Sequence, residues 1–553
     1  MVHKPCQYAA LFALSLPLAL LGQADQAKQV DAIFQEWNNA SGPGAAVSVI
    51  RDGHVILEKG YGLADLEYDI PIKPDTIFHV ASVSKQFTAM ALILLEQDHK
   101  LSLEDDIHKY LPELPDYGHP VTIRNLLQHT SGIRDQWQTL ALAGWSLEDV
   151  ITQDQILRML FRQKELNFVP GSEHLYSNGG YTLAAEIVTR VSGKPFPEFC
   201  ADRIFQPLGM THTHFHQDLD QIVKNRAYSY SKTNTGFANA PLNYANVGAT
   251  SLFTTATDLT KWLDHFRDPV IGGKAAIARQ QEQAVLADGK KIDYALGVSI
   301  GKYRGLRTIS HSGGDAGFRS YVCWYPDQQL GVAVVSNLAS FSPAREANKV
   351  AAVYLASQMS PDVALPPTKR TYVTVDSAIL ATLAGTYPLP QIGQTLVVVA
   401  EGGKLLAGGP IQPPMEMKPL SPSRFYVEPL EAEIEFVSAP SDDMKVKITQ
   451  PGGVNEGVRT ANPPKAEIDL LAYPGVYWSE ELETQYTFSI KDGKLIATQA
   501  HHGIIHLTPK TKDSFSSDQW FMGEANFVRD PDGHVTAVLL GGGRLRGIRF
   551  VKK

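Results

Sequence analysis

The sequence predicts an α+β protein in which a mixed helix-and-strand region runs to about residue 360 and two small antiparallel β-barrels follow. Three observations carry this reading. The chain has 553 residues, too many for one hydrophobic core. Two proline-rich joints, Ser360-Pro361 to Pro366-Pro367 and Asn462-Pro463-Pro464, divide it. After the first joint helical patterns almost vanish, and the remaining sequence matches itself at a fixed offset. The segments expected are 1–24, 25–360, 372–460 and 467–553.

Residues 1–24 read as a signal peptide. Lys4 supplies the positive start, Ala9 to Leu21 is apolar but too short to span a bilayer, and Gly22-Gln23-Ala24 places small residues at the cleavage spacing. A periplasmic or secreted protein is expected, with no stable membrane anchor after cleavage. Cys6 leaves with the leader, and Cys200 and Cys323 read as two buried thiols rather than a disulfide framework. The composition, 44% apolar and 20% charged, is that of an ordinary soluble protein. A net charge of −8 argues against a nucleic-acid partner, which needs a basic footprint. No pattern specifies an oligomeric state.

Chemistry concentrates in three places. The first is Phe78-His79-Val80-Ala81-Ser82-Val83-Ser84-Lys85-Gln86-Phe87. Phe87, Ala91, Leu92, Leu94 and Leu95 continue as an apolar helical face, so Ser82 is expected at a helix N-terminus with Lys85 one turn on. A serine hydroxyl is a poor nucleophile until something takes its proton. A desolvated amine one turn away can do so, and a helix N-terminus favours the alkoxide. S-x-x-K alone is weak, recurring by chance about once in a chain of this length.

The second is Pro170-Gly171 followed by Tyr176-Ser177-Asn178-Gly179-Gly180-Tyr181. A tyrosine near an ammonium has its phenolate favoured and can act as general acid and base, while Asn178 can donate to a substrate carbonyl. The third is His311-Ser312-Gly313-Gly314 after the strand-like Leu306 to Ser310, where Gly313 and Gly314 would let a substrate backbone approach a sheet edge.

Other patterns are set aside. Gly297-Val298-Ser299-Ile300-Gly301 matches a nucleophile elbow, which needs a strand–turn–helix; here Tyr294 to Lys302 reads as a strand followed by another strand. His212-Thr213-His214-Phe215-His216 could present three rings on one strand face, but solvated histidines are the plainer reading, and no metal or cofactor is expected. His129 is expected to cap structure rather than react.

Beyond residue 370, short alternating stretches such as Thr395 to Val399 and Tyr486 to Ile490 read as strands. Gly385-Thr386-Tyr387 matches Gly475-Val476-Tyr477, Gly403-Lys404-Leu405 matches Gly493-Lys494-Leu495, and Pro419 with Phe425 match Pro509 with Phe515, all 90 positions apart. All-β units of this length close on themselves to hide their edges, giving about eight strands each, lipocalin-like. Such barrels are expected to fold independently of the preceding region or to border its cleft, with Gln519-Trp520-Phe521 as the bordering segment.

Taken in order, the three motifs resemble the serine β-lactamase / penicillin-binding protein superfamily, particularly its class C β-lactamase-like branch of esterases, D-aminopeptidases and D-Ala-D-Ala carboxypeptidases. The resemblance runs from about Asp31 to Ala356 and includes Leu101 to Asp106, Leu126 to Gly132 and Pro207 to Met210. It implies an antiparallel sheet covered by helices, with a mostly helical subdomain. It also implies Ser82 as acylated nucleophile, Lys85 as its activator, Tyr176 as general base and leaving-group acid, Asn178 as a substrate-positioning residue and His311 as the third-motif residue. The N–H groups of Ser82 and Gly314 would form the oxyanion hole.

One departure matters: the third motif usually begins with a lysine that receives a substrate carboxylate, and here it begins with His311. A histidine is largely neutral near neutral pH, which favours D-aminopeptidase, amidase or esterase chemistry over β-lactamase or carboxypeptidase. Arg319 could supply a substitute cation, although a surface arginine is the simpler reading. The activity expected is hydrolysis of a small amide or ester, most of all a D-amino-acid peptide or amide. A non-catalytic β-lactam or muropeptide receptor is the alternative from another class.

Overall fold

The computed structural model describes every residue except 1–14, 362–369, 390–393, 409–414, 431, 439–443, 451–452, 460–468 and 518. The start of the leader, most of the first proline joint and all of the second lie outside the described residues. The chain divides into two compact units: Met1–Leu103 with Val188–Ala284 and Ile292–Ser360, and Glu104–Ile187 with Val285–Lys291 and Pro361–Lys553. Residues 104–187, read from the sequence as part of 25–360, thus form their unit with the C-terminal region.

The first unit is built on a six-stranded antiparallel sheet in the order Ser299–Tyr303, Leu306–Asp315, Phe318–Tyr325, Leu330–Ser336, Ala45–Arg51, His54–Tyr61. Ala45–Arg51 is buried along almost its whole length because both faces of the sheet are covered. Ala45, Val47 and Val49 share a core with Val334, Val350 and Leu355, joining the sheet to the helix Pro343–Leu355. On the opposite face, a Cβ at Gly331 would meet Leu263 of the helix Ala256–His265 at 3.0 Å. In the helix Ser15–Ile33, Val30 is fully buried, and Asp31 accepts from Lys59 Nζ at 2.7 Å and from the Tyr61 hydroxyl at 2.9 Å.

The helix Lys85–Gln97 is buried from Lys85 to Leu95, a wider apolar surface than the one face read from the sequence. A helix buried all round is an interior element, and its polar residues must find partners. Gln86 Oε1 accepts from Trp262 Nε1 at 2.9 Å, and Thr88 Oγ1 donates to the Gly248 carbonyl at 2.8 Å. Cys200 and Cys323 are buried and not joined in a disulfide; burial pushes the Cys323 thiol up to about 12.

In the second unit, the segment 104–187 carries the helices Ile123–Leu127, Gln136–Leu142 and Gln153–Phe161. Two all-β bodies follow. The first has eight strands in sequence order from Gly385–Leu389 to Gly453–Val458, and the second closes into a barrel from Gly475–Ser479 to Leu545–Lys552, with Tyr477 opposite Lys552. Their equivalence is structural. The buried Tyr387 hydroxyl donates to the Leu383 carbonyl at 2.8 Å, and the Tyr477 hydroxyl to the Tyr473 carbonyl at 2.8 Å. Pro419 pairs with Phe425 as Pro509 pairs with Phe515.

The second barrel is not the self-contained module its patterning suggests. Its core takes in Ala141 and Leu142, the Tyr486 hydroxyl donates to the Leu142 carbonyl at 2.9 Å, and Glu481 forms a buried ion pair with Arg134. Without those helical residues the barrel core would be open to water.

Candidate active site

The first unit holds Ser82, Lys85, His311, Gly313, Gly314 and Arg319; the second holds Tyr176 and Asn178. Ser82 lies in a short 3-10 turn, Ala81–Ser84, and the α-helix begins only at Lys85, so the serine precedes the helix rather than opening it. The turn is held tightly. Ala81 takes φ +48, a left-handed conformation costing a non-glycine residue about 1–2 kcal/mol. Ser84 Oγ donates to the Ala81 carbonyl at 2.5 Å and accepts from Leu252 N–H at 3.1 Å. Ala81, Val83 and Ser84 are buried, and Ser82 is the residue of this turn that reaches solvent.

Lys85 is completely buried, and its Nζ donates to Ser82 Oγ at 3.0 Å and to the Ala249 carbonyl at 2.7 Å. Gly297, at φ +75, comes so near the start of this helix that a Cβ would sit 2.6 Å from the Lys85 carbonyl. The strand starts only after this glycine: Ser299–Tyr303 is extended, where the sequence suggested Tyr294 to Lys302. Ser299 lies on this strand, paired with Ser310, and another strand follows, so no strand–turn–helix forms around it.

The third motif lies on Leu306–Asp315. Its neighbour Ser299–Tyr303 pairs no further than Ser310, so His311 to Asp315 form an open edge. Gly313 is required by the protein's own backbone: a Cβ there would lie 2.3 Å from the Val80 carbonyl and 3.1 Å from Ser82 N. His311 is 6% exposed. Its Nδ1 faces the Ser312 carbonyl at 2.6 Å, which must accept, so Nδ1 carries the proton and Nε2 accepts from the Tyr294 hydroxyl at 3.0 Å. Burial first, and then the charge of Lys85, drive His311 down to about 3, so the ring is neutral throughout the physiological range.

Arg319 is neither a surface side chain nor a free cation. It pairs across the ladder with Gly314, and its Nη1 donates to the Ala316 carbonyl at 3.1 Å and the Phe318 carbonyl at 2.7 Å. Desolvation lowers its proton affinity. The sequence reading also missed Asp315, directly after the two glycines. Its Oδ2 accepts from Thr250 and contacts His79 Nε2 at 2.9 Å. Burial opposes its ionisation, but the hydrogen bonds from His79 and Thr250, with the charge of Lys85, hold the carboxyl below its ordinary range.

Tyr176 and Asn178 are fixed by neighbours the sequence did not single out. Asp135 caps the helix Gln136–Leu142, and its Oδ2 accepts from Asn178 N–H at 3.0 Å and from Asn178 Nδ2 at 2.7 Å. This assigns the amide orientation, with Nδ2 turned to the carboxylate. His129, at φ +56, accepts from Ser177 N–H at its Nδ1 (3.1 Å) and packs its ring 4.1 Å from that of Tyr176. It therefore shapes the second motif, the structural role expected of it. The guanidinium of Arg544, from the second barrel, lies 4.6 Å from the Tyr176 ring centre. The carbonyls of Trp520 and Phe521 accept from Gln138 Nε2, both at 3.4 Å.

The three histidines at 212–216 do not form a solvated row. His212 is exposed, but His214 and His216 pack around Phe253 at 5.7 and 4.9 Å, and burial drives His216 down to about 4. Among the described residues no cluster of three or more His, Cys, Asp or Glu side chains is placed to hold a metal ion. No described helix is long and apolar enough to cross a membrane.

Known proteins resemble this chain in sequence and in fold. Penicillin-binding protein 4* of Bacillus subtilis is 28% identical over 448 residues, covering 78% of this chain and 98% of that protein. A D-aminopeptidase of Brucella anthropi is 29% identical over 302 residues, which span 54% of this chain and 57% of the relative. The octameric penicillin-binding protein homologue from Pyrococcus abyssi shares the fold over 79% of this chain and 99% of its own, with a TM-score of 0.55 at 24% identity. The Beta-lactamase family profile matches residues 30–356, more than half the sequence and all three motifs. The chain therefore belongs to the Beta-lactamase family and is a serine hydrolase.

Proposed function

We propose that this is an exported hydrolase that forms an acyl-enzyme at Ser82 on small amides or esters, with D-amino-acid amides or peptides as its principal substrates. The observation that carries the reading is the buried Lys85 ammonium 3.0 Å from Ser82 Oγ. Donating to Oγ, Lys85 stabilises the developing alkoxide rather than removing its proton. Tyr176 is the base: its phenolate takes the Ser82 proton, becomes a phenol, and returns that proton to the leaving amine or alcohol. In deacylation Tyr176 takes a proton from water, the resulting hydroxide equivalent attacks the ester carbonyl, and Tyr176 gives the proton to Ser82 Oγ as the acyl–oxygen bond breaks, restoring phenolate and serine. The N–H groups of Ser82 and Gly314 receive the oxyanion, and Asn178 orients the substrate.

Two points support amides and esters over acids with a free carboxylate. His311, where the third motif of β-lactamases and penicillin-binding proteins usually begins with a lysine, is neutral, and Arg319 Nη1 is engaged by two backbone carbonyls. The D-aminopeptidase relative supports the same reading. The test compares turnover of a D-alanyl nitroanilide, an acyl nitrophenyl ester and a chromogenic cephalosporin on the full chain. The D-alanyl substrate is expected to give the highest kcat/KM. Turnover of the ester with none of the D-alanyl amide would leave a carboxylesterase. N-terminal sequencing of the protein recovered outside the cytoplasm tests export, with a mature start near Asp25 expected.

A further inference from the structure

We propose that Arg544, on the turn joining the last two strands of the second barrel, is a positioning residue for Tyr176 and supplies the charge that favours its phenolate. This rests on the reading of Tyr176 as the proton acceptor. The geometry is specific. The Arg544 guanidinium lies 4.6 Å from the Tyr176 ring centre, and its Nη1 lies 3.9 Å from Asp135 Oδ2, the oxygen that also receives both N–H groups of Asn178. One cation from the barrel thus touches Tyr176 directly and Asn178 through a single carboxylate.

The turn is anchored through its backbone. Arg544 N–H donates to Gln138 Oε1 at 2.9 Å, and the Arg544 carbonyl accepts from Asn167 Nδ2 at 3.0 Å and Asp135 N–H at 3.4 Å. Two residues on, Arg546 N–H donates to Asn167 Oδ1 at 2.9 Å, and its guanidinium pairs with Glu173 at 3.0 Å. None of these backbone bonds depends on the Arg544 side chain, so the side chain can be changed while the turn stays seated.

A cation over an aromatic face attracts the electron-rich ring, and it attracts a phenolate more than a phenol. The other titratable groups facing Tyr176 in this unit add little positive charge. His129 packs on the ring with Nδ1 accepting a backbone N–H, and burial, then Lys290, lower the proton affinity of His174 behind it. Asp135 is shared between Arg544 and Asn178, and Glu173 is paired with Arg546. Lys85 is the remaining cation in the proposed mechanism, and it is unchanged in the variants below.

The experiment measures kcat/KM for a neutral acyl nitrophenyl ester, and the rate of fluorophosphonate labelling, against pH for the full chain and its Arg544→Gln, Arg544→Lys and Tyr176→Phe variants. Arg544→Gln is expected to shift the acid limb of both profiles upward by about one pH unit and to lower the rate near neutrality about 10-fold. Arg544→Lys keeps the charge and should hold the limb near its parental position, even if its rate falls for want of the planar fork. Tyr176→Phe should abolish turnover. If it does, and the limb stays put in Arg544→Gln or moves equally in Arg544→Lys, the proposal is overturned while the role of Tyr176 stands. Turnover surviving in Tyr176→Phe overturns the reading of Tyr176, and this proposal with it. Should Arg544→Gln melt far below the parent, the Lys variant decides between charge and simple packing.

Discussion

The Tyr294 hydroxyl donates to His311 Nε2 at 3.0 Å, while the Nδ1 proton of the same ring is held by the Ser312 carbonyl at 2.6 Å. Both nitrogens are therefore occupied in the neutral tautomer, and burial makes that state hard to leave. A proton on His311 would have to displace the tyrosine's donation beside the charge of Lys85.

Acidification should therefore destabilise the fold. His311 titrates at about 3, and His216 and His265 at about 4, all held down first by burial. Above about pH 6.5 neither the folded nor the unfolded chain binds protons at these rings. Below it, the unfolded chain takes up protons that the folded chain refuses, so stability falls by up to about 1.4 kcal/mol per pH unit for each ring. Urea denaturation at about pH 7 and about pH 5 should show this decline, and His216→Phe should make it shallower. Equal stability at the two pH values would show that these rings are solvated when folded.

Ser82→Ala should abolish both turnover and fluorophosphonate labelling, because a nucleophile acting in a cooperating unit carries several orders of magnitude in rate. Ser299→Ala should leave both nearly intact, since Ser299 opens a strand opposite Ser310 and no helix follows it. A labelled peptide containing Ser299 would reverse the assignment.

His311→Lys should raise the rate of acylation by benzylpenicillin. A charge-assisted contact with the substrate carboxylate is worth about 1.5–3 kcal/mol, roughly 10- to 150-fold. A neutral ester should gain nothing. If both substrates gain alike, the substitution acts through the Tyr294 hydrogen bond it removes, which Tyr294→Phe would reproduce.

The Arg134–Glu481 pair should behave as a buried ion pair. Glu481→Leu leaves the Arg134 charge buried and alone and should cost about 3–5 kcal/mol of stability. Arg134→Met with Glu481→Leu should recover most of that loss, as read by thermal melting. A chain ending after Met359 loses the barrel altogether, exposing Leu142 as well as Arg134, and is expected in the insoluble fraction.

Local chemistry was legible in the sequence, and long-range company was not. The spacing of Ser82 and Lys85 sets their meeting because one helical turn fixes it, whatever the rest of the chain does. The barrels were legible because a repeat constrains each copy to the same core: Tyr387 and Tyr477 are both fully buried. Strand ends were less so, since the left-handed Gly297, just before the strand that starts at Ser299, answers to the Lys85 carbonyl more than two hundred positions earlier. Asp135 meets Asn178 across 43 positions, and Arg544 approaches Tyr176 from the far end of the chain. No pattern of period two or three and a half encodes such meetings. Asp315 was the one missed group with a local sign, a carboxylate set directly behind two glycines on a strand. The alternation of His212, His214 and His216 misled, because the aromatic surroundings of Phe253 absorb two of the rings.

The internal duplication supplies a built-in comparison. The two barrels share a framework down to the same tyrosine-to-backbone hydrogen bond, yet Arg544 in the second copy corresponds, at the 90-position offset, to Val454 in the first, which carries no charge. Exchanging that one residue, Arg544→Val, separates what the scaffold contributes from what its ornament contributes, within a single molecule whose other copy already carries the plain side chain.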